Sequence, residues 1–85
     1  MTDMEALGQY FYHKELADSH LTCMQAAVEC LQDMLERTGQ RVAEFNVDRG
    51  LRMLSIADKA RASFLQCATK ANEAAAICGR PPLEI

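Results

Sequence analysis

Four cysteines and two histidines are the side chains in this 85-residue chain that could hold a metal or exchange electrons. On a helix, Cys23 and Cys30 return to nearly one face after two turns, and Cys67 and Cys78 do so after three. His20 and Cys23 are three positions apart, so both can face one ion. Completing four ligands would take a second such pair from a symmetry mate, or Cys67 or Cys78 from a second helix. His13 and Cys30 lie about 10 Å from their sevenfold neighbours, too far to share that ion. A hairpin turning near residues 48–50 would set Cys23 level with Cys78 and Cys30 level with Cys67. His20, Cys23, Cys30, Cys67 and Cys78 thus define one reading, a metal-binding or redox-responsive helical bundle. Against it, HxxC stands without a CxxC partner, and buried thiols commonly pack as small hydrophobes. Cys67, between Phe64 and Ala71 on an apolar stripe, is expected in the core.

A second candidate is the run Tyr10-Phe11-Tyr12. Consecutive helix residues point about 100° apart, so three rings cannot all enter one groove. At least one ring is expected on a surface, where aromatics favour contact with another protein. No residue set suggests catalysis. The chain lacks a phosphate-cradling glycine loop, GxSxG, HExxH and the Glu-x-x-His pairs of di-iron bundles. It is therefore read as non-enzymatic, with no cofactor.

The elements that must position these residues are helices. Thr2-Asp3-Met4-Glu5 has the spacing of a capping box. Leu7, Tyr10, Lys14, Ala17, Leu21, Met24, Val28, Leu31 and Leu35 then recur at alternating intervals of three and four, up to Thr38-Gly39. The spacing predicts a first helix over about 3–37, with Asp18-Ser19 the place where it would break. A turn or short helix occupies 38–50, with residues 40–46 the candidate third helix. The hairpin turns either at Thr38-Gly39 or at Asn46–Gly50. Met53, Ala57, Ala60, Phe64, Cys67, Ala71, Ala74 and Cys78 mark a second helix over about 51–78. Gly79 and Pro81-Pro82 stop it. Residues 79–85 form an extended tail, docked on its own bundle or offered as a docking peptide.

The first helix carries more apolar surface than one partner covers. Beside its main stripe lies another, formed by Leu16, Cys23, Ala27, Cys30 and Met34. The second helix is poor in bulk. A compact 85-residue globule has a radius of gyration of about 12 Å, which two long helices cannot meet. The expected fold is a single all-α domain over 1–85, a long helical hairpin that pairs into a four-helix-bundle-like homodimer.

Composition bounds the partners. Twelve acids against nine bases give a net charge of −3, which disfavours nucleic acid despite the cluster Arg49, Arg52, Lys59 and Arg61. Residues 1–38 carry seven acids and two bases, and residues 39–85 five acids and seven bases. An acidic helix beside a mildly basic one favours pairing of unlike faces. No export signal and no membrane-length apolar run are visible, so a cytoplasmic protein with reduced thiols is expected. The leading expectation is a small acidic interaction module, an adaptor, chaperone or inhibitor, that binds itself and another protein.

Overall fold

The computed structural model describes all residues 1–85 as two long helices packed against each other. The first, α1, spans Asp3–Thr38, and the second, α2, spans Val47–Cys78. A single 3-10 turn, Val42–Glu44, lies in the connection. The molecule measures 58 × 17 × 14 Å, with a radius of gyration of 17.5 Å. No helix is long and apolar enough to cross a membrane.

Each boundary has a local cause. Thr2 Oγ1 accepts the Glu5 backbone N–H at 3.1 Å, the forward half of the capping box. Asp3 and Glu5 place negative charge on the positive end of the helix. Asp18 and Ser19 do not break α1, because both side chains point into solvent and so cost the helix only propensity. Gly39 caps the far end, donating its N–H to Leu35 O at 3.3 Å.

α2 begins four residues earlier than its periodicity implies. Asn46 accepts the Arg49 N–H at 3.0 Å, so Asn46 is the N-cap and Asp48 a first-turn acid. Turn-forming residues that read as a loop are here a helix start, the other position that favours the same side chains. The chain therefore reverses across 39–46, beginning at the Thr38-Gly39 turn the sequence offers and not at its alternative over 46–50. Gly50 is needed for a different reason. A Cβ there would stand 3.0 Å from Phe45 Cζ and 3.7 Å from Leu31 Cδ1, so the missing side chain lets the Phe45 ring close the hairpin.

The seam between the helices is built from small residues. The buried side chains are Ala6, Ala17, Ala27, Ala57, Ala60, Ala68, Ala71, Ala74 and Ala75, with Tyr10 the one large exception. All eight stripe positions expected on α2 are buried or half-buried. On α1 the seam is rotated by one residue from expectation. Tyr10, Ala17, Met24 and Leu31 form one column, as the spacing implied, but the second column is Ala6, His13, His20, Ala27 and Met34. Val28 and Leu35, expected in the core, are 39% and 55% exposed. Alanines let the two backbones approach closely, whereas the Leu7–Leu35 column is too bulky for so thin a seam. α2 thus lies between the two apolar stripes of α1 and leaves the outer part of each uncovered.

Candidate interaction surface

The hairpin spreads the thiol and imidazole groups along its length and keeps only His20 and Cys23 together. His20 and Cys23 share a shallow groove with Ile56, Lys59, Ala60 and Ser63. Cys30 lies 3.9 Å from the Arg49 guanidinium, near the turn. Cys78 packs at the opposite end, against the cluster around Tyr10. The levels that a turn near residues 48–50 would have set, Cys23 with Cys78 and Cys30 with Cys67, therefore do not occur. The turn falls near residue 42 and not 49, which moves every α2 partner along the axis. All four cysteines are free thiols, with Cys23 exposed and the other three half-buried. Cys67 is thus only partly covered by the core. No group of three or more His, Cys, Asp or Glu side chains is placed to share a metal ion.

The three rings divide the way helix geometry requires. Tyr10 is 6% exposed and lies on Ala71, Ala74 and Ala75. Phe11 and Tyr12 are 44% and 58% exposed. Phe11 meets Tyr10 edge-on at 5.2 Å and carries the Arg80 guanidinium 5.1 Å over its face. Tyr12 stands edge-on to His13 at 5.1 Å, and the same imidazole shares a 3.1 Å hydrogen bond with Gln9.

Arg80 reaches Phe11 because the chain doubles back after α2. Gly79 takes φ +75°, a left-handed conformation, and the Arg80 N–H closes a 3.0 Å bond to Ala75 O. This is a Schellman cap, and a side chain at its left-handed position would strain it. Residues 80–83 then run back along the helix until Leu83 meets Asn72. The Leu83 N–H donates to Asn72 Oδ1 at 2.6 Å, and Asn72 Nδ2 donates to Leu83 O at 3.1 Å. The Leu83 side chain packs against the Tyr10–Ala71–Ala74–Ala75 cluster. The lengths agree: four extended residues span about 12 Å, and seven helical residues about 10 Å. Asn72 gave no signal in the sequence, because a lone polar residue among alanines has no periodicity.

The outer surfaces are apolar along much of their length. Leu21, Met24 and Val28 line a groove on α1 with Gln25, Glu29 and Gln32. Leu35, Leu51, Leu54 and Val47 are all more than half exposed. Leu51 and Leu65 fall on the heptad column of Asn72, and Asn72 faces the same side as Phe11. The Leu7–Leu21–Val28–Leu35 column and the Leu51–Leu65 column therefore border one broad face. Charge is unspent across the seam as well. The ion pairs, Arg37–Asp33 at 3.0 Å and Arg41–Glu44 at 3.5 Å, are local, and no pair links α1 to α2.

No family model matches the chain, and neither a curated protein nor a solved structure is found to resemble it.

Proposed function

We propose that this protein is a non-enzymatic interaction module, an adaptor, chaperone or inhibitor, that works as a homodimer of hairpins. The observation that carries the reading is surplus surface. A compact chain of this mass exposes about 5,000 Å², and this one exposes 6232 Å². The surplus, about 1,200 Å², exceeds the roughly 800 Å² that each partner buries in a standard stable interface. The surplus is apolar where it matters, along Leu21, Val28, Leu35, Leu51 and Leu54. A second hairpin laid on that face would give the core the bulk that its alanines do not supply. The acidic α1 of one copy would meet the more basic α2 of the other. Tyr12 would stay exposed at the bundle end for a different protein chain, with Phe11 beside it under the Arg80 guanidinium.

The test is the double variant Val28→Asp/Leu35→Asp. In an isolated hairpin both carboxylates stay hydrated, so helix content should hold. In a dimer they would enter an apolar interface. Losing two aliphatic contacts removes at least about 3 kcal/mol, which weakens self-association at least about 100-fold. Unchanged helicity with a halved mass by sedimentation supports the reading. Unchanged mass shows that this face is not the interface.

A further inference from the structure

We propose that the groove between Tyr10, Phe11 and Asn72 is a receptor for an extended, proline-led peptide segment of a partner protein, and that residues 80–85 are its built-in competitor. The inference deepens the interaction-module reading and does not depend on dimerisation. Three features make the groove a receptor. Asn72 hydrogen-bonds both the N–H and the C=O of one residue, Leu83, at 2.6 and 3.1 Å. A neighbouring β-strand reads a backbone in the same way, and such recognition accepts any extended segment. Beside this clamp, the alanines around Tyr10 leave a shallow seat that holds the Leu83 side chain. At the entrance, the Phe11 face holds the Arg80 guanidinium at 5.1 Å. The two anchors are three residues apart, and Pro81 and Pro82 between them keep the segment extended. Proline stiffens the ligand before it binds, so little order is lost on docking. The matching ligand is therefore a basic residue, two prolines and a leucine in an extended run.

The same contacts show why the segment can be displaced. Pro81, Pro82, Glu84 and Ile85 are exposed, and Leu83 is only half-buried. The segment joins α2 at Gly79, which holds a left-handed conformation. A tethered ligand this close acts at an effective concentration near the millimolar range. A partner segment must outcompete it, so partners with more than this one anchor are selected. Release of the segment would also free the Phe11 ring for contact.

The experiment uses the full chain and a fluorescein-labelled Arg-Pro-Pro-Leu-Glu-Ile peptide. Leu83→Asp cannot seat its carboxylate against the Tyr10 cluster, so its own segment undocks and the groove opens. Fluorescence anisotropy should show saturable binding of the peptide to Leu83→Asp. Wild type should bind at least about tenfold more weakly, the factor expected if its groove is free no more than a tenth of the time. Adding Asn72→Ala to Leu83→Asp should weaken binding at least about tenfold. A second measurement needs no undocked variant. The Leu amide of a ¹⁵N-leucine peptide should shift on adding excess wild type, and should not shift with Asn72→Ala. No saturable binding to a helical Leu83→Asp chain overturns the proposal, as does binding indifferent to Asn72. If Leu83→Asp alone turns a dimer into a monomer, the segment is exchanged between copies, and the competitor role is wrong. Peptide capture by a wild-type chain that is monomeric supports the receptor while removing the homodimer.

Discussion

Replacing Tyr10 by alanine should destabilise the hairpin by about 3 kcal/mol, whereas the same change at Tyr12 should cost less than about 0.5 kcal/mol. Tyr10 is the one bulky side chain in a core otherwise made of alanine, and it is 6% exposed. A tyrosine buries about 200 Å², which at 25 cal/mol per Å² amounts to about 5 kcal/mol. The unfolded chain already hides part of that area, lowering the figure by roughly 10–40%. The site lies at the open end of the hairpin, so water enters and little cavity cost is added. About 3 kcal/mol is the lower end of what remains. For a domain of this size that lowers the melting temperature by roughly 12–24 °C. Tyr12, 58% exposed, touches His13 only edge-on. Tyr10→Phe separates the ring from its hydroxyl. The hydroxyl makes no hydrogen bond within the chain, so this variant should melt within a few degrees of wild type. Thermal unfolding followed by circular dichroism at one fixed protein concentration measures all three, since self-association would make melting concentration-dependent. A Tyr10→Ala variant within about 1 kcal/mol of wild type would refute the claim that this ring anchors the end of the seam.

Two other outcomes follow from particular positions. Gly8 lies in the exposed interior of α1, and a Cβ there would meet nothing within 4 Å. Gly8→Ala should therefore stabilise by about 0.5–1 kcal/mol through helix propensity alone, seen as a melting temperature several degrees higher; a decrease would mean the residue has an unrecognised contact. Cys23 should react with a thiol reagent before Cys30, Cys67 and Cys78, because it alone is exposed. A mass-spectrometric time course in which Cys67 or Cys78 leads would show that the far end of the seam opens readily.

The helices were legible because their ends carry strong local chemistry. Thr2, Gly39 and Gly79 act where the sequence places them, and the alternating three-four spacing marks the inner face of α2 and one of the two inner columns of α1. What failed was the choice between adjacent columns on α1. Hydrophobic mass favours Leu7, Leu21, Val28 and Leu35, but close helix packing favours the column of Ala6 and Ala27, and periodicity cannot weigh bulk against approach distance. The Asn46–Gly50 segment failed for a related reason: a cap and a turn use the same residues, and only the Asn46–Arg49 bond separates them. Of the two turn positions the sequence offers, the one at Thr38-Gly39 is used, and the cysteine register tied to a turn near 48–50 falls with the other. Of the candidate site, the division of the three rings followed from the 100° step between helix residues. The Asn72–Leu83 clamp did not, because it joins residues eleven apart through a chain reversal set by one glycine conformation.

In the proposed dimer a second copy covers the apolar face that the alanine seam leaves open. Multi-angle light scattering of the untagged chain across a micromolar concentration series tests it most directly. The expected mass is twice the 9.5 kDa of one chain, falling toward the single-chain value only on dilution. A constant mass of 9.5 kDa throughout the series would contradict it.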